Sequence, residues 1–461
     1  MKTFLKCLFR FVNHLLFGAT LWAFEPQDIL DVKNLAIAPN KQAAYLTPIA
    51  SASYTQRPRN PGTAFASITP SYYSDEQLAN KGHNWPTVRQ RTMQATEFDF
   101  TWDVDNFNIG WALAFALGAV TVSGSGPFTH VFKFLQSSNQ VPVTTILFQD
   151  TNDVIYQLPD LAISDLQISG KESGPLQMQG KMLGSGKNVD GVIAFPALNL
   201  SPAYMFGSDT DILLGPPCPD ATTFTLSTVV AGTLAAHTAF YKVTWTNAAG
   251  ETLASQEISI AVPANSVSKI TAPAAFPLGV TGINVYAANI TGTETKQGTI
   301  GAAGGNFQEP NTGFTAGAAL PTDTTAIVSI RDRVADWNVH IVTDLQPNRA
   351  PGGGFFSTTT KVFKQRANLS LQVRATSTDD MRTLVTNDTL RMVRIKTNSG
   401  ASQILTMDFP GTYLIAPAAS ANSQEVVWPL TAGDQDVIKW AGQEVFQATL
   451  VNNQSAYMVA A

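Results

Sequence analysis

Residues 158–187 read LPDLAISDLQISGKESGPLQMQGKMLGSGK, and this stretch decides the fold class. In its first arm Leu161 and Ile163 alternate with polar or small residues. Leu166 and Ile168 continue the alternation one residue out of phase. A β-bulge at residues 164–165 accounts for the slip. Gly170-Lys171-Glu172-Ser173-Gly174-Pro175 supplies turn residues. In the second arm Leu176, Met178 and Met182 fall on one face, with Gln177, Gln179 and Lys181 on the other. The pattern predicts a half-buried antiparallel hairpin.

Composition agrees with that reading. The chain has 461 residues, of which 44% are hydrophobic and only 14% charged. That length allows two or three domains. The 33 glycines and 26 prolines suit an all-β chain rich in turns. Few charges also suit a protein covered by copies of itself. The net charge of −5 argues against a sequence-reading nucleic-acid binder, which needs a basic footprint. Two distant cysteines, Cys7 and Cys218, make neither a disulfide framework nor a cysteine-based zinc site.

Residues 1–24 contain no acid, and Lys2, Lys6, Arg10 and Asn13 form one narrow polar stripe at helical spacing. A helix that docks on a partner surface and a signal peptide are both compatible with this segment. It falls short of the unbroken apolar run a membrane-spanning helix needs. Residues 25–95 carry seven prolines, from Pro26 to Pro86, and read as an extended arm. Arg57, Arg59, Arg89 and Arg91 in this arm suit ion pairs with a neighbouring subunit.

Residues 97–105 alternate without interruption. Phe98, Phe100, Trp102 and Val104 share one face; Glu97, Asp99, Thr101, Asp103 and Asp105 share the other. Period two means a strand with a carboxylate side. Three readings stay open: an acidic wall on an aqueous channel past which DNA phosphates slide, a calcium site on Asp103, Asp105 and Asn106, or a plain solvated face. The calcium reading lacks the loop glycine and distal Glu of a calcium loop. From Asn106 to Leu117 the apolar residues take helical spacing, and Gly118 marks the stop. Strands are predicted at 128–133 and 141–149, with His130 a hydrogen-bonded structural residue.

Prolines 216, 217 and 219 mark a linker. Residues 222–321 then carry short strands at 240–246, 257–262, 267–270, 283–287 and 296–300, separated by turns such as NAAGE at 247–251. This spacing over roughly 100 residues fits an immunoglobulin-like or fibronectin-III-like sandwich. Beyond Pro321, strands are predicted at 326–332, 337–343, 361–375, 390–397, 403–409 and 444–452. A short helix is predicted at 379–385.

Catalytic motifs are missing. Gly184-Ser185-Gly186-Lys187 fails as a phosphate loop, because Lys181 stands where the first glycine is needed and Asn188 where Ser or Thr is needed. The five histidines are scattered, with no pair at metal-ligand spacing. The chain reads as a non-enzyme without a cofactor or metal.

Two segments carry a family resemblance. They are Gly126-Pro127-Phe128-Thr129-His130-Val131-Phe132-Lys133 and the pattern of Ile168-Ser169-Gly170-Lys171, Gly174-Pro175-Leu176, Met178, Gly180-Lys181 and Leu183-Gly184. Together they resemble the tail tube (major tail) proteins of long-tailed bacteriophages over residues 95–215 and 322–461. Residues 251–267 and 282–289 are similar to Ig-like modules on phage surface proteins.

The resemblance implies an all-β fold, a tail-tube-like sandwich or barrel with a short flanking helix, interrupted by an Ig-like insertion. Its divisions are 1–94 (N-terminal helix and arm), 95–221 (first half), 222–321 (insertion) and 322–461 (second half). It implies a structural virion protein of the tail, made in the host cytoplasm. Copies form a ring, hexameric in the family, that stacks into a tube for DNA ejection. Further partners would be tail terminator and tail tip proteins, the passing DNA, and host-surface glycans through the insertion. Glu97, Asp99, Asp103 and Asp105 become candidates for the lumen wall. Leu161, Ile163, Leu166, Ile168, Leu176 and Met178 become candidates for an inter-subunit hairpin. The competing reading is a secreted β-adhesin or carbohydrate-binding protein, with residues 1–24 as its signal peptide.

Overall fold

The computed structural model describes residues 32–58, 67–74, 89–135, 141–150, 153–190, 194–198, 203–348, 356–375, 387–415, 420–422, 425–433, 436–437 and 444–459. The expected helices at 1–24 and 379–385 lie outside these residues, as do Arg59 and Cys7. The fold is all-β with one α-helix among the described residues, and every pairing of named strands is antiparallel.

Two sheets form the main body. The larger runs Ser67–Ser74, Arg89–Asp103, Gln177–Gly184, Ile155–Lys171, Val334–Asn348, Thr358–Arg374, Glu425–Ala432, Ser420–Asn422 in spatial order. Ile155–Lys171 is 17 residues long and changes neighbours along its length. Its first part pairs with Thr144–Asp150, its second with Val334–Asn348. The register shift between Ile163 and Asp165 is the bulge that the phase slip in the sequence predicts. The smaller sheet runs Val328–Ser329, Thr210–Gly215, Leu390–Asn398, Ile404–Tyr413, Gln447–Asn452, Phe128–Phe134, Gly118–Ser123.

The alternation of 97–105 sends Phe98, Phe100, Trp102 and Val104 inward, each 4% exposed or less. Trp102 lies between Phe100 and Trp111, with ring centroids 4.3 and 5.6 Å away. Trp111 belongs to the helix Asn108–Leu117, all ten residues of which are buried. Gly118 ends the helix at φ +87°, a left-handed conformation that glycine adopts without Cβ strain. The C-terminal segment holds the helix start: Tyr457 Oη donates to Phe107 O at 3.1 Å, and Asn452 Nδ2 donates to Asn106 O at 2.6 Å.

Three expectations need correction. The proline-rich arm is woven into the body: Val32–Ile37 pairs with Thr144–Asp150, and Ser67–Ser74 pairs with Arg89–Asp103. Leu35 and Ile37 join the core, since strand pairing satisfies the backbone between the prolines. Residues 326–332 make only the two-residue strand Val328–Ser329 and a 3-10 turn at Arg331–Arg333. The hairpin residues Leu161, Ile163, Leu166, Ile168, Leu176 and Met178 are 2% exposed or less. They pack in the chain's own core and have no surface left for a second copy.

Residues between Thr225 and Gln308 make two further sheets. One holds Thr225–Val229, Val267–Thr271 and Asn306–Gln308; the other is centred on His237–Asn247 and Gly282–Ala288. Tyr241, Val243, Trp245, Ile283 and Val285 form a core separate from that of the body. The chain leaves and re-enters the body at adjacent points, for Leu214 pairs with Val328.

Candidate functional surface on the long sheet

The outer face of the larger sheet is an organised polar surface. Partners across an antiparallel ladder share a face, so the register gives the rows directly. Thr101, Gln179, Gln167, His340 and Asn368 form one row across five strands. Asp103, Gln177, Ser169, Asn338 and Ser370 form the next, and Asp99, Lys181, Asp165, Val342 and Arg366 the one beyond. The inward face beneath them is apolar. There Gly180 lets the Phe100 ring lie flat across the strand; a Cβ at Gly180 would stand 2.4 Å from that ring.

The charges on this face are partly paired. Lys181 Nζ lies 2.9 Å from Glu97 Oε2. The hydrogen bond that Lys181 donates to Glu97 raises the lysine pKa against the opposing effect of burial, helped by the charges of Glu97, Asp99 and Asp165. His340 Nε2 sits 2.7 Å from Asp165 Oδ2, and Arg366 Nη2 sits 2.6 Å from Asp344 Oδ1. Among the described side chains carboxylates still outnumber permanent cations: Glu97, Asp99, Asp103, Asp165, Asp336 and Asp344 stand against Lys171, Lys181, Arg366 and Arg374. The face is hydrophilic, mildly acidic and rich in uncharged amides and hydroxyls.

Glu97, Asp99 and Asp103 lie on this face, whereas Asp105 does not. Asp105 is 1% exposed, and its Oδ1 accepts from Phe107 N at 2.9 Å and Asn108 N at 2.8 Å. Asn108 Oδ1 accepts in return from Asp105 N at 2.8 Å. This is a helix N-terminal cap: the alternation ends at Asp103 because the chain there turns into the helix. The calcium reading fails for the same reason. Asn106 Oδ1 accepts from Ala203 N at 3.2 Å, and no group of metal-ligating side chains occurs among the described residues.

The sequence puts Lys181 on the polar side of its own arm but does not join it to 97–103, and Asp165, Gln167, His340 and Arg366 carry no site signal of their own. Alternation within 165–171 and 336–344 is visible, but only strand pairing brings these residues beside 97–103.

Other polar clusters are internal. His130 is fully buried and its Nε2 bonds Gln454 O at 2.7 Å; burial lowers its pKa. Asp160 is fully buried and is held by Ser185, Gln42 and the Leu46 amide; burial raises its pKa despite these bonds. Ser185, through Asp160, and Lys187, whose Nζ donates to Leu46 O at 2.5 Å, make the failed phosphate loop a fastening for 42–46. Cys218 is buried against Leu253 O and Ala254 O.

Among the described residues no helix is long and apolar enough to cross a membrane. No family model matches the chain, and no curated protein is similar to it.

Proposed function

We propose that the chain is a structural subunit of a phage tail tube, in which copies join edge to edge so that the polar face of the larger sheet lines the bore. The observation that carries this reading is the polar face itself: an ordered, one-sided surface spanning strands of 15 to 17 residues, backed by a continuous core. A conduit for DNA needs water-holding groups and an excess of carboxylates over cations, so that phosphates neither bind nor stall. Glu97, Asp99, Asp103 and Asp165 supply the charge; Gln167, Gln179 and Asn368 supply neutral hydration.

The sheet edges support assembly. Among the described strands Ser67–Ser74 pairs only with Arg89–Asp103, and Ser420–Asn422 pairs only with Glu425–Ala432. Open edges are sites for strand pairing with another chain, and ring closure would cover them. The inserted unit departs from the smaller sheet, away from the polar face, which suits an outward decoration and contact with host-surface glycans. The ring would stack on itself and end against terminator and tip proteins of the tail.

Negative-stain microscopy of concentrated purified protein tests the assembly. Rings or tubes of uniform bore are expected. A monodisperse monomer at every concentration and salt condition would contradict it.

A further inference from the structure

Arg391 lies near the start of the strand Leu390–Asn398, at the seam between the body and the inserted unit. Its Nη1 donates to Leu278 O of that unit at 2.6 Å. Both terminal nitrogens lie beside Gly279, 3.6 and 3.9 Å from where a Cβ would stand. Its Nε is buried and has no hydrogen-bond partner. No carboxylate pairs with it among the described residues, in contrast to Arg394 three positions on, which is gripped by Asp408 and Asp323 at 2.7 Å each. Burial alone acts on the Arg391 guanidinium and lowers its pKa. A cation withdrawn from water without a counter-ion is costly, and an anion delivered to it is correspondingly favoured.

Beside this guanidinium lies a cleft of about 400 Å³, walled by Leu214, Leu278, Val328 and Ile330. Leu278 and Val328 are 50% and 58% exposed, so apolar surface stands open next to the unpaired charge. The volume falls within the range of small-molecule pockets, which are mostly apolar with a few placed polar groups.

We propose that this cleft binds a small organic carboxylate with an apolar body. The carboxylate sits on the free edge of Arg391, and the body covers Leu278 and Val328. The chemistry favours a carboxylate over a phosphate, because among the described residues Arg391 is the only cation lining the cleft and the walls are apolar. A bound ligand would touch both the body strand and the 278–279 loop, tying the inserted unit to the body. The site does not depend on tube assembly.

Calorimetric titration of the full chain with benzoate, its neutral isostere benzamide, and inorganic phosphate tests the proposal. Benzoate is expected to bind at least tenfold more tightly than either of the others and to raise the melting temperature. Arg391→Met should abolish the benzoate response. Leu278→Glu, at an exposed loop position, should also abolish it by supplying an internal carboxylate, and decides the matter if Arg391→Met misfolds. Absence of benzoate binding at millimolar concentration would overturn the proposal. So would equal binding of benzamide or phosphate, or benzoate binding retained in Leu278→Glu.

Discussion

The body and the inserted unit are both antiparallel two-sheet structures, but they are built over different distances along the chain. Every strand of the insertion lies between Thr225 and Gln308. The body instead pairs Phe128–Phe134 with Gln447–Asn452, and Ile155–Lys171 with Val334–Asn348. Its core therefore forms only once both flanks of the insertion are present, while the insertion closes on local contacts. The difference extends to surfaces. The longest strand of the insertion has 11 residues, against 15 to 17 in the four longest strands of the body's polar sheet. The long strands and open edges on which the proposed assembly rests belong to the body; the insertion is the compact unit.

The largest effects should separate the two units. Trp102→Ala removes the centre of the body's aromatic stack and should cost about 3–5 kcal/mol. Calorimetry should show the body transition lowered or lost, with the insertion's transition kept. Trp245→Ala, 3% exposed in the insertion core, should do the reverse and leave assembly intact. A single transition abolished by either change would show one cooperative unit.

Asp408→Ala comes next. It leaves Arg394, 8% exposed at its side chain, with Asp323 as its one remaining carboxylate partner, and should cost about 2–3 kcal/mol by half-stripping a buried charge of its counter-ions. Smaller still is the contrast among the four acids of 97–105. Asp105→Ala loses a helix cap and should cost about 0.5–2 kcal/mol in denaturant unfolding. Glu97→Gln and Asp99→Asn should each change stability by less than about 1 kcal/mol, as exposed charges do. Equal losses at all of these positions would erase the distinction between cap and surface.

The smallest effect concerns the seam. Burial raises the Asp323 carboxyl, but its hydrogen bonds and charge interaction with Arg394 outweigh this and hold it below its ordinary value of 3.8. A depressed folded pKa gives stability that is present above the ordinary value and is lost as pH falls through the folded one. The melting temperature should therefore drop below about pH 4, and Asp323→Asn should flatten part of that drop.

Local pattern made much of this fold legible. The slip after Ile163, the alternation of 97–103 and the glycine stop at Gly118 each report a single element, and each stands in the structure. The capping role of Asp105 was legible only in part. Asn108 three residues on makes a reciprocal cap, yet period two read on past Asp103 hides where the strand ends. The hairpin's apolar residues look the same in sequence whether they face a second copy or the chain's own core, and the core holds them. The arm's strands are hidden in the sequence because prolines interrupt its pattern while its backbone still pairs at Val32–Ile37 and Ser67–Ser74. The polar face was half visible: 97–103 announces itself, Asp165 joins it through the hairpin partner Lys181, and His340 joins it only through a pairing with Asp165 across 175 residues of chain.

The central claim is that the polar face lines a bore. It is tested most directly by placing a cysteine at Thr101, exposed in the middle of that face, with Cys7 and Cys218 replaced by Ser. Assembled protein would then be labelled with maleimide-coupled gold small enough to enter the bore. The account predicts tubes with gold confined to the central channel. Gold along the outer wall, or free labelling with no tubes formed, would contradict it.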